Sequence, residues 1–135
     1  MSDRRPVEPL VRSEAPPDAA VVVVRGGPIA AQKVAEHAQR QEALFTFRGQ
    51  PMAAISVDLT VEGWTVDRIL AERMQTRSSY ASAMVGVLRA AGYELVPTGR
   101  PPHYSLILPG SSDAEAAALL ALLGPTLQNP YRARR

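Results

Sequence analysis

His103 and Ser105 stand two apart in Pro102-His103-Tyr104-Ser105-Leu106, a run that favours an extended strand. On a strand that spacing puts both side chains on one face. Histidine exchanges protons near neutral pH, so the pair can activate an attacking group or protonate a leaving group. A second constellation is Arg25-Gly26-Gly27, which follows Val21 to Val24 and precedes a helix-favouring run from Ile29 to Ala43. An Arg and two glycines at a strand-to-helix turn suit an anion, because the unpaired N–H groups of a helix start point outward. The competing reading is a tight turn that uses glycine φ freedom, with Arg25 paired to an acid. No Gly-Lys-Ser/Thr follows, which excludes a Walker loop. No Gly-x-x-Gly is present either, which excludes the dinucleotide fingerprint.

Other chemistries are limited by what the chain lacks. It has no Cys, so disulfides, thiolate nucleophiles and Cys-ligated metals are excluded. It has two His, and the second, His37, falls on the expected first helix. That count argues against a His-rich metal site. Asp58 and Glu62 lack the spacing of a carboxylate site. We therefore expect no cofactor and no metal. Trp64, the sole Trp, sits beside Gly63, either as an anchor for a partner or as the closure of one end of the core. Tyr131, among Arg132 to Arg135, can dock the tail onto a partner or a second copy.

The elements that must position these residues follow from periodicity. Residues 1–18 hold Pro6, Pro9, Pro16 and Pro17 with scattered charge and read as a disordered arm. Ala19 to Arg25 reads as a central strand, since four consecutive valines suit burial on both faces. Gly27 can cap a helix with Pro28 at its first position, running to about Glu42 with the small stripe Ala30, Val34, Ala38. Leu44 to Arg48 and Met52 to Thr60 read as an antiparallel hairpin around Gly49-Gln50-Pro51. Thr65 can cap a short helix from Val66 to Met74. Ser78 or Ser79 can cap a longer one, with the stripe Tyr80, Met84, Val87, Leu88 and Ala91, ending at Gly92. Two strands follow, Tyr93 to Pro97 and His103 to Leu108. Ser112-Asp113-Ala114-Glu115 then opens a last helix as a capping box. The order β-α-β-β-α-α-β-β-α predicts one compact α+β domain over residues 19–128, with a mostly antiparallel five-stranded sheet.

Charge narrows the partners. Residues 19–128 carry nine basic and nine acidic residues, so the net charge of +2 is set by the termini, with Arg132, Arg134 and Arg135 in the tail 129–135. A nucleic-acid protein usually shows its basic face on the folded part, so tail contact with nucleic acid is a weak expectation. No apolar run is long enough for a membrane span, and the N-terminus lacks the apolar segment of a signal peptide. A cytoplasmic protein is expected. A free edge strand would permit a homo-oligomer.

Taken in order, Val22-Val23-Val24-Arg25-Gly26-Gly27, the segment Phe45 to Val57, Pro102-His103-Tyr104, Leu123-Gly124-Pro125 and Asn129-Pro130 resemble a family of small uncharacterised actinobacterial proteins, over roughly residues 20–131. The family pattern has a Gly before the position of Ser56, where this chain has Ala54-Ile55. The resemblance supplies no catalytic residue, and its small size implies an accessory or two-gene-cassette protein. His103-Tyr104-Ser105 also resembles one half of the paired motif of 2H phosphoesterases, whose second half is missing here. Arg25, Ser56 and Glu94 occur in the order of an ADP-ribosyltransferase-like site. With no complete constellation, the leading expectation is a non-enzymatic protein-interaction module, an antitoxin-like or immunity-like partner of another protein. The alternative is an enzyme or binder acting on a phosphate-bearing nucleotide substrate through Arg25, His103 and Ser105.

Overall fold

The computed structural model describes residues 8–26 and 30–131; the side chains of Arg25 and Gly26 and all of residues 1–7, 27–29 and 132–135 lie outside the described set. The expected turn at Gly27-Pro28 and the Arg tail therefore fall outside it, but the helix expected to start at Pro28 under a Gly27 cap begins at Ala31 with Ala30 as its N-cap. The valine run forms β1 (Val21–Gly26), with Val22, Val23 and Val24 buried. It lies inside a six-stranded sheet, as burial on both faces requires. Around it run β4 (Ala54–Leu59), β5 (Ser79–Met84), β6 (Glu94–Val96), β7 (His103–Ile107) and β8 (Leu127–Gln128). The order is β6-β7-β4-β1-β5-β8, with every neighbouring pair antiparallel. A separate small ribbon pairs β2 (Thr46–Phe47) with β3 (Gln50–Pro51). The architecture is α+β, as expected, with six strands in the main sheet where five were expected.

The two sheet faces are covered differently. On one, Val22, Ile55, Val57, Tyr104 and Leu106 form the main core with α1 (Ala31–Leu44), α3 (Val85–Ala90) and α4 (Asp113–Leu120). The small residues Ala35 and Ala38 let α1 approach closely beside Val34. On the other face the cover supplied by the described residues is discontinuous. At one end α2 (Val66–Arg73) packs Ile69 and Leu70 against Val23 and Met74. At the other end Phe47 packs against Ala54, Val96 and Ile107.

Local signals act where expected at three helix ends. The Thr65 hydroxyl accepts from the Arg68 N–H and the Ser112 hydroxyl from the Glu115 N–H, which satisfies donors a helix start leaves open. Gly92 follows α3 at φ +94, a left-handed conformation that side chains disfavour.

Four further expectations are corrected. The segment read as a helix from Ser79 forms β5 first, because Ser79 to Met84 pairs residue by residue with Gly26 to Val21; only Val85 to Ala90 is helical. Non-local pairing with a buried strand outweighs the helical spacing of Tyr80, Met84 and Val87. Met52 to Thr60 does not form a hairpin with Leu44 to Arg48, since β4 pairs with β1 and β7 and Leu44 ends α1. The hairpin is the short ribbon, turning at Arg48 (φ 54) and Gly49 (φ 77), both left-handed as a type I′ turn requires. The chain after Gly124 adds β8, which the sequence pattern did not reveal. The arm is not detached over its described part. Val11 bridges to Thr98, the Arg12 N–H donates to the Pro97 carbonyl at 2.7 Å, and the Gly99 N–H donates to the Leu10 carbonyl at 3.1 Å.

Candidate functional site

Between the two apolar clusters of the half-covered face lies a polar band. Register builds it: Asp58 on β4 sits opposite His103 on β7, and Ser56 sits opposite Ser105. Residues opposite each other in an antiparallel pair share a face, as do residues two apart on one strand. All four side chains therefore fall on the face that Val23, Ala54, Val96 and Ile107 also occupy. A row of polar residues through a sheet face flanked by Val, Ile, Leu and Phe is where a ligand can find directed partners between apolar walls.

His103 and Ser105 are brought together, but not directly. Thr98, in the loop between β6 and β7, lies between them. Its hydroxyl is 3.0 Å from His103 Nδ1 and 2.8 Å from Ser105 Oγ. His103 Nδ1 is also 3.1 Å from the Thr98 carbonyl. A carbonyl only accepts, so this contact assigns the proton to Nδ1, and in the neutral ring Nε2 is the basic nitrogen. Ser105 and Thr98 are buried. Their hydroxyls therefore serve to fix the imidazole, and the buried Ser105 is poorly placed as an attacking nucleophile.

Asp58 is fully buried. The Arg73 Nε–H donates to its Oδ1 at 3.0 Å, while Oδ2 is buried with no hydrogen-bond partner. Arg73 comes from the end of α2, which the Thr65 cap starts and which packs over Val23. The structure aims it at the sheet. Its side chain remains 31% exposed, so the guanidinium spans from the buried carboxylate to solvent.

The loop carrying Thr98 is held from outside. Arg12 donates to the carbonyls of Thr98 and Gly99, each at 2.9 Å, and of His103 at 3.1 Å. It also pairs with Glu14 at 2.7 Å, and Glu14 accepts from the Tyr104 hydroxyl at 3.0 Å. The bond from Arg12 holds the Glu14 carboxyl below its ordinary pKa, with the Tyr104 bond adding to it and burial opposing. Burial first, and then the bond to Glu14, push the Tyr104 phenol up to about 12. Arg12 is held charged by Glu14, although burial acts against this.

The other candidates are placed as follows. Arg25 pairs through its backbone with Tyr80 on β5, while its side chain and those of Gly26 and Gly27 lie outside the described residues. His37, on α1, accepts from the Ser56 N–H through Nε2 at 3.2 Å. Glu94 is on β6, ion-paired with Arg48, away from Asp58 and His103. Trp64 is half-buried against the α2 cluster, with Arg68 stacked on its ring at 3.8 Å. Tyr131 is partly exposed, and its N–H donates to Asn129 Oδ1. Among the described residues no group of three His, Cys, Asp or Glu is placed to hold a metal, and no helix is long and apolar enough to cross a membrane.

Arg12, Thr98 and Arg73 were missed as site residues, and Asp58 was weighed only as a metal ligand. Thr98 opening a Gly- and Pro-containing loop that ends at His103 was a usable signal; nothing local marks Arg12 or Arg73. No protein-family model, no curated protein and no solved structure matches this chain.

Proposed function

We propose that the polar band binds a phosphate-bearing, nucleotide-like small molecule, with Arg73 and His103 contacting the phosphate and Asp58 orienting Arg73. The observation that carries this reading is the placement of Asp58. A fully buried carboxylate with one unpartnered oxygen, held by a single Arg contact, costs stability relative to an apolar residue. Such an arrangement in a polar band supports a role in binding more than in folding. Engaging Nε in the Asp58 bond leaves the terminal amino groups of Arg73 to a ligand, and a guanidinium fork matches phosphate geometry. Tyr80 at one end and Phe45 and Phe47 at the other supply apolar walls for a base or sugar.

The test is calorimetric titration of nucleoside mono-, di- and triphosphates and of ribose 5-phosphate against wild type, Arg73→Ala and His103→Ala. Binding by wild type that weakens at least tenfold in each variant is expected. Absence of binding by any phosphate compound sinks the reading.

A protein-interaction role, as an accessory or antitoxin-like partner, finds separate support at the β6 edge. A groove of about 340 Å³ runs there between Val11, Phe47, Arg48, Glu94, Val96 and Ile107. Leu10 and Val11 beside it are 77% and 49% exposed. Exposed apolar side chains next to a sheet edge favour contact with another chain. Val11→Asp would abolish binding to an apolar extended peptide under that reading.

A further inference from the structure

We infer that Arg12 is a positioning residue for His103, so that the segment preceding the sheet is part of the site. This rests on the polar band being the binding site. The loop from Thr98 to His103 presents several carbonyls toward Arg12, and one guanidinium gathers three of them, those of Thr98, Gly99 and His103. One of these, the Thr98 carbonyl, is also the acceptor that assigns the proton of His103 to Nδ1. Arg12 thus fixes the position of the atom that selects the imidazole tautomer.

Arg12 is itself well fixed. Its own N–H bonds to the Pro97 carbonyl, Glu14 takes one of its amino groups, and its guanidinium lies 5.3 Å from the Tyr104 ring centroid. Tyr104 stands between His103 and Ser105 and points to the opposite face, fully buried. The clasp therefore grips both sides of β7 at the point where the polar band crosses it. Three directed bonds to carbonyls suit a planar fork with five donors; an ammonium at the same place offers charge without that geometry.

The experiment is long-range proton–nitrogen NMR of the His103 ring in wild type, Arg12→Ala and Arg12→Lys, with phosphate-ligand titration alongside. In wild type the Nδ1–H tautomer should dominate. Arg12→Ala should shift the population toward Nε2–H and weaken phosphate-ligand binding at least tenfold. Arg12→Lys should fall between them, and it decides the matter if Arg12→Ala does not fold. A wild-type ring in the Nε2–H form, or variants with an unchanged tautomer ratio, overturns the inference. Wild type that binds no phosphate compound sinks the functional reading, while the tautomer result still decides the role of Arg12.

Discussion

Arg12 and His103 share one acceptor, the carbonyl oxygen of Thr98. It takes a bond from Arg12 Nη1 at 2.9 Å and from His103 Nδ1 at 3.1 Å. The two residues are 91 positions apart in sequence. The Thr98 hydroxyl continues the chain to Ser105. Replacing Thr98 by Val keeps the shape and removes that hydroxyl, leaving the buried Ser105 without its partner. Thr98→Val should lose about 1–3 kcal/mol in urea unfolding, the usual cost of an unsatisfied buried hydroxyl. The double variant Thr98→Val with Ser105→Ala should recover part of that loss.

Asp58→Asn should separate stability from binding. The substitution removes a buried charge while keeping the side-chain shape. Arg73 can turn to solvent, since it is already 31% exposed. The melting temperature should hold or rise, because burying an ion pair is seldom favourable in net terms. Phosphate-ligand affinity should fall at least tenfold as Arg73 loses its orientation. Thermal denaturation and calorimetry on one preparation check both.

The clasp should loosen in acid. The Glu14 carboxyl titrates below its ordinary value of 4.5 in the fold, so its contribution is complete above that value and is lost as pH falls through the lower folded pKa. Protection of the Arg12 and Gly99 amides against exchange should fall as pH drops below the ordinary carboxylate range. Glu14→Gln should make that protection independent of pH over the same range.

Tyr104 should ionise late. Its phenol, normally titrating at 10.0, is pushed up to about 12, so the stability it carries is complete below 10.0 and is lost as pH rises through about 12. Ultraviolet titration should show a late phenolate step. Tyr104→Phe should remove that step.

Asn129 anchors the end of the described chain. Its side-chain amide donates to the carbonyls of Met74, at 2.8 Å, and Arg77, at 3.2 Å. Asn129→Ala should cost about 1–3 kcal/mol in urea unfolding by removing both of these side-chain hydrogen bonds. It should also release β8 from β5, visible as faster amide exchange at Tyr80.

Elements whose cause is local were legible in the residues alone. Four valines specified a strand buried on both faces. Thr65 and Ser112 set two helix starts, and the alternation from His103 to Leu108 put His103 and Ser105 on one face. Short-range preference and side-chain period suffice for these. Tertiary structure alone decided the rest. Ser79 to Met84 became a strand because β1 offered it a full ladder, which outweighs a helical pattern of apolar residues. Asp58 reached His103 through the β4–β7 register, and Arg73 reached Asp58 because α2 packs over Val23. Arg12 reached Thr98 from a segment whose prolines and charges read as disorder, because the edge beyond β6 left backbone groups to satisfy. A polar band of this kind has no sequence period, since its members come from five separate stretches that only pairing and packing bring together.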